Sequence, residues 1–153
     1  HRHDSHASAT RLLHSRDSPM DDSDSTRRTT GMAKRREVLG DAHVDRAIAG
    51  TTPLTADFQD LITRYAWGEI WSRPGLEVRA RRILVIGTLI GLGHWEEVAM
   101  HVRAALTSGD LTSREIEEIA LQQAIYCGVP AANTALRITN EIVSSLPTLR
   151  REK

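Results

Sequence analysis

"HWEEVAMHVRAAL", residues 94–106, is the stretch on which the fold turns. At about 100° per residue, its apolar side chains Trp95, Val98, Ala99, Val102 and Leu106 gather on one arc, the pattern of an amphipathic helix with one face against a core. His94, Glu97 and His101 follow the edge of that arc, where side chains are half buried and meet any cavity beside the core. Glu97 and His101 form an i, i+4 pair, close enough for the carboxylate to hold the imidazole and raise its basicity. A solvated ion pair on a helix edge and an acid–base site both fit this spacing. Zinc does not: a helical metalloprotease motif sets its histidines four apart with Glu between them, whereas here they are seven apart, so no metal site is expected.

Working outward, the same periodicity recurs with clear punctuation. "AKRREVLG" and "DAHVDRAIAG" read as short helices closed by glycine. "TADFQDLITRYAWGEIW" opens at Thr55, and "SRPGL" breaks the chain because Pro74 and Gly75 sit badly inside a helix. "EVRARRILVIGTLIGL" closes at Gly91 and Gly93, and the quoted helix runs on to Gly109. "LTSREIEEIALQQAIYCG" offers Thr112 or Ser113 as N-cap with Glu115 in its first turn, and "VPAANTALRITNEIVSSL" carries Pro130 near its start and ends before Pro147. No segment alternates with period two, so the expected class is all-α, with about six helices.

Residues 1–31, "HRHDSHASATRLLHSRDSPMDDSDSTRRTTG", are rich in Ser, Thr, Asp, Arg and His and nearly devoid of apolar anchors, which reads as a disordered tail. The domain is expected over 32–147, with a short C-terminal tail over 148–153. The chain starts at His1 rather than Met, consistent with a non-native remnant, a later start at Met20 or Met32, or the trimmed end of a fusion.

The 153 residues and 40% apolar content suit one domain with its own core. Twenty basic and twenty acidic side chains cancel, so nucleic acid and anionic membrane surfaces are not expected partners. The longest apolar run, "ILVIGTLIGLG", is about half the roughly 20 residues a membrane span requires. No secretory signal is recognisable at the N-terminus, and a cytoplasmic enzyme or binding module is the expectation. Cys127 is the single cysteine, which excludes an intramolecular disulfide and a C-x-x-C redox pair. Arg79, Arg81 and Arg82 stand early in a helix, where cations oppose the dipole, and invite a carboxylate ligand.

"VLGDAHVDRA", "DFQDLITRYAWGEIWSRPGL", "HWEEVAMHVRAAL" and "LQQAIYCGVPAAN", in this order, resemble the 4-carboxymuconolactone decarboxylases, a branch of the carboxymuconolactone decarboxylase and alkylhydroperoxidase D-like superfamily; the likeness covers about residues 32–145. It implies an alkylhydroperoxidase D-like helical domain assembling as a homo-oligomeric, typically hexameric ring. It also implies cofactor-free conversion of γ-carboxymuconolactone to β-ketoadipate enol-lactone in the protocatechuate branch of the β-ketoadipate pathway. The peroxidase branch carries C-x-x-C with a His four residues on. Laying that His on His101 puts the two cysteines at His94 and Glu97, so thiol chemistry is not expected here. Arg82 and Val78 depart from the decarboxylase pattern, which more often has a small or acidic residue at the first and a charged one at the second.

The implied substrate is its own electron sink, because the departing carboxylate is conjugated through the ring alkene to the lactone carbonyl; no cofactor is needed. The catalytic residues are expected to be His101, tuned by Glu97 and assisted by His94, with His101 as acid or oxyanion donor. Substrate binding falls to Arg79 and Arg81 through a carboxylate, with Tyr126 or Gln122 donating a hydrogen bond. Trp67, Trp71 and Trp95 wall the pocket or pack the core. A metal- and thiol-independent lyase for another small lactone or β-keto acid is the competing enzyme reading, and a helical oligomerisation module the non-enzymatic one.

Overall fold

The computed structural model describes residues 20–147, and within them every regular element is helical. The helices are α1 (Met20–Leu39), α2 (Asp41–Ala49), α3 (Ala56–Ile62), α4 (Val78–Leu92), α5 (Trp95–Ser108), α6 (Ser113–Tyr126) and α7 (Val129–Ser145). A π-helical stretch, Thr63–Ile70, continues α3 without a break. The stop signals work as the sequence suggests: Gly93 and Gly109 end α4 and α5 at φ 72° and 78°, a left-handed conformation that costs glycine little. Thr112 and Glu115 form a reciprocal capping box at the start of α6.

The expected tail needs correction. Residues 20–31 are already helix, so the boundary at 32 falls inside α1, while residues 1–19 and the tail over 148–153 lie outside the described residues. This polar stretch is helical because its charges and its backbone have partners on α3 and the π segment. Arg28 pairs with Asp60 at 2.7 Å, and Asp24 with Arg64 and Arg27 with Glu69 at 3.6 Å each. Gly31 crosses the π segment so closely that a β-carbon there would strike the Thr63 carbonyl, and one on Gly68 would strike the Arg27 carbonyl. Periodicity of apolar residues carries no record of such a crossing.

Two cores result. Ile86, Ile90, Val98, Val102, Ala105, Leu106, Leu111, Ile116, Ala135, Ile138 and Ile142 form an aliphatic core shared by α4–α7. Val38, Leu39, Val44, Trp67 and Ala104 form a smaller one under α1, α2 and the π segment, with Trp71 and Met100 packed on it. Helix α5 lies between, giving Val98, Val102 and Ala105 to the first and Ala104 to the second. Arg82 fastens the layers together: only 1% exposed, it donates from Nη1 to the Val38 carbonyl and from Nε to Asp110 Oδ2, both at 2.8 Å. The Val38 carbonyl is one that the end of α1 leaves without a helical partner, so this guanidinium caps the helix as well as crossing the domain.

Candidate functional site

His101 projects from the face of α5 that meets the smaller core and is only 6% exposed. Its ring stacks on Trp71 with 6.0 Å between centroids and 7° between planes, and Trp71 in turn leans on Trp67 at 5.1 Å. The π turn presents this pair: the Trp71 amide donates to the Ala66 carbonyl at 2.9 Å and Ser72 Oγ to the Trp67 carbonyl at 2.6 Å, which brings both indoles onto the side of α5. Such turns recur at functional sites because the extra residue re-aims neighbouring side chains.

His101 Nδ1 is buried without a hydrogen-bond partner. Burial, then the positive charges of Arg82 and His43, hold its pKa down at about 4; the carboxylate of Glu97 pulls the other way but is the weakest influence. Glu97 thus acts in the expected direction but is outweighed, and the net shift is downward. The imidazole is neutral at neutral pH, and exposed Glu97 makes no hydrogen bond to it. His94, also exposed, is the N-cap of α5 at φ −85° and ψ 77°, outside the helical row that the spacing placed it in. The row of three thus separates into one buried ring and two solvated side chains.

The expected binding residues go elsewhere. Arg79, half exposed, pairs with Glu115 of α6, and Arg81 donates to the Arg73 carbonyl at 3.3 Å, closing the α3–α4 connection. Gln122 lines an open cleft of about 850 Å³ between α4 and α6, while Tyr126 is 81% exposed at the end of α6. None of these four is a charge or ring that reaches His101. Among the tryptophans, Trp71 walls the histidine, Trp67 is core, and Trp95 packs at the rim of the aliphatic core.

Residues 56–141 match the model of the carboxymuconolactone decarboxylase family. The chain is also 40% identical over 123 residues to the 4-carboxymuconolactone decarboxylase of Acinetobacter baylyi, an alignment spanning 80% of this chain and 91% of that protein. It belongs to the carboxymuconolactone decarboxylase family. A nitrosuccinic acid decarboxylase from Metarhizium robertsii is 39% identical over 116 residues, 76% of this chain and 80% of that one. A 39-residue stretch is 51% identical to a 4-carboxymuconolactone decarboxylase of Pseudomonas putida, covering 26% of this chain and 81% of that protein.

Within this family member, sequence reasoning passed over Arg35, Arg82 and His43 as site residues. Arg82 was read as one of three arginines inviting a carboxylate and as a departure from the decarboxylase pattern, and it is the buried one of the three. His43 and Arg46 sit in "DAHVDRA", one turn apart on a short helix that follows a glycine break. That spacing of a histidine and an arginine on one face was the available signal. A neutral ring with an unused nitrogen, walled by indole and near the Arg82 guanidinium, can donate or accept one hydrogen bond in a largely water-free place and can hold negative charge nearby.

Proposed function

We propose that this chain decarboxylates γ-carboxymuconolactone to β-ketoadipate enol-lactone without a cofactor, in the protocatechuate branch of the β-ketoadipate pathway. The observation that carries the proposal is the buried, neutral His101 with its unpartnered Nδ1 beside Trp71 and within reach of the Arg82 charge. When CO2 leaves, its bonding electrons pass through the ring alkene to the lactone carbonyl oxygen. A neutral imidazole N–H aimed at that oxygen stabilises the growing charge more in the transition state than in the ground state, which is what accelerates the step. The carbon beside the carbonyl then takes a proton from water, and the hydroxide left behind combines with the released CO2 as bicarbonate. The indole wall of Trp71 and Trp67 keeps the departing carboxylate poorly solvated, and the catalytic unit is the domain expected over 32–147 together with the first part of α1.

Exposed apolar side chains favour a homo-oligomer, in keeping with the hexameric ring that the resemblance implies. Leu121, Ile125, Tyr126 and Val129 are 50–81% exposed along the end of α6 and the start of α7, and clustered exposed apolar side chains are a common mark of an association surface. Among the described residues no helix is long and apolar enough to cross a membrane, and the proposed setting is the cytoplasm. The near-equal identity to the nitrosuccinic acid decarboxylase favours a second reading, a decarboxylase for a small open-chain acid. The deciding experiment offers purified protein each substrate separately, following lactone absorbance for one and CO2 release for both. Turnover of the lactone at least a hundredfold more efficient supports the first reading, and the reverse preference selects the second.

A further inference from the structure

The open cleft of about 850 Å³ between α4 and α6 is left unused by the reaction. Its charged lining residues are both acids, Glu115, which Arg79 holds, and Glu118, so it is a poor seat for an anionic substrate. The two helices run parallel: Arg79 meets Glu115, Gln123 Nε2 donates to the Gly87 carbonyl at 2.7 Å, and a β-carbon on Gly91 would come within 3.1 Å of Cys127 Sγ. One end of the cleft is therefore acidic. Toward the other, Leu92, Ile125, Tyr126 and Val129 are 63–81% exposed, and Leu84 and Leu121 are half exposed along the sides.

Helix α6 presents this face as a self-complementary surface. At about 100° per residue, Glu118, Leu121, Gln122, Ile125 and Tyr126 fall within roughly 140°, opposite the buried Ile116 and Ala120. Glu118, Gln122 and Tyr126 follow one another at steps of four, and none of them makes a hydrogen bond or ion pair among the described residues. A two-fold axis through Gln122 would set each Tyr126 opposite Glu118 of the other copy, giving the unpaired carboxylate a phenol donor. On the axis itself, one side-chain amide can both donate to its twin and accept from it. Antiparallel helices also hold the two Glu118 carboxylates about 12 Å apart along the helix, eight residues of rise, whereas parallel helices would set like charges side by side. Leu121 and Ile125 are covered in the same step.

Deepening the homo-oligomer reading above, we propose that two copies of this chain pair across the α4–α6 face about a two-fold axis at Gln122, their α6 helices antiparallel and Tyr126 of each donating to Glu118 of the other. The cleft is then a contact between subunits, and the catalytic ring of His101 is reached from elsewhere.

The test combines light-scattering mass with cross-linking. Ile125→Glu places a charge in the apolar strip and should break the assembly into units of half the mass or less, with far-UV circular dichroism unchanged because Ile125 is exposed. In a Cys127→Ser background, Gln122→Cys should form a disulfide with its twin under mild oxidation, whereas Arg137→Cys on the outer side of α7 should stay reduced. Tyr126→Phe and Glu118→Gln should each raise the dissociation constant of the pair about tenfold or more, and the double variant no further; fully additive effects would overturn that bond. An oligomer whose mass survives Ile125→Glu and in which Gln122→Cys does not cross-link would overturn the α4–α6 pairing and leave the homo-oligomer reading standing. A wild-type protein that is monomeric at concentrations on the order of 50 μM, well above the micromolar range of a weak specific pair, would overturn both.

Discussion

The two cores of this domain obey different rules. The α4–α7 core is hydrocarbon throughout; Thr139, the buried polar side chain on α7, turns its hydroxyl to the Ala135 carbonyl at 2.8 Å and so costs nothing unpaired. The core under α1, α2 and the π segment buries far fewer aliphatic groups and adjoins Arg35, Arg82 and His101, two of which keep a nitrogen with no partner. The first arrangement is what maximises stability. The second gives some stability up, and unsatisfied buried groups held in place by a stable neighbour are the usual mark of a working site.

Substitutions that respect this division should separate stability from activity. Ile86, fully buried in the aliphatic core, should lose about 2–5 kcal/mol of stability on replacement by alanine, read from urea unfolding, while the folded fraction keeps its kcat. His101→Leu should do the opposite. It removes an unpaired buried nitrogen, so the melting temperature should hold or rise, whereas kcat should fall about 10²–10³-fold, the effect of removing one donor to a developing oxyanion. A His101→Leu enzyme that melts early yet turns over normally would assign the ring to packing and dissolve the distinction between the cores.

Acid should weaken the two cores unequally. Below its ordinary value of 6.5 the unfolded His101 ring takes a proton, but the folded ring stays neutral down to about 4, so protons favour the unfolded chain. The penalty is absent above pH 6.5, grows as pH falls, and levels off below about 4 at roughly 3 kcal/mol, since one unit of pKa difference is worth about 1.4 kcal/mol. Comparing wild type with His101→Leu at pH 7 and pH 4 isolates this one group; parallel losses in both proteins would show that the ring titrates normally. The smallest effect is expected at Glu97→Gln: an exposed carboxylate that makes no bond to the ring should change kcat/KM less than threefold, and a loss beyond tenfold would restore it to the reacting pair.

Most of the helical framework was legible because glycine, proline and capping residues report local backbone physics: Gly93, Gly109, Thr112 and Pro130 each sit where the sequence put a helix end. The start of α1 was not, since its polar residues become helical only through Asp60, Arg64 and the glycine crossing of the π segment, all distant in sequence. His101 was legible as a candidate at the boundary of the core from its place at the edge of an apolar arc. Its charge state was not, because i, i+4 spacing announces Glu97 but is silent on burial and on Arg82 and His43, which arrive from α4 and α2. The arginines illustrate the same limit. Neighbours on a helix point about 100° apart, so which of Arg79, Arg81 and Arg82 turns inward depends on what packs against α4; the answer, Arg82, required α1 and Asp110.

The most direct test is the pH dependence of kcat/KM on γ-carboxymuconolactone between pH 5 and pH 8, which reports the protonation state required of the free enzyme. A His101 that works as a neutral hydrogen-bond donor gives a profile level to within about threefold across that range. A profile that falls about tenfold per unit above pH 6.5 would mean that the reaction needs an imidazolium, contradicting both the buried neutral ring and the role assigned to it.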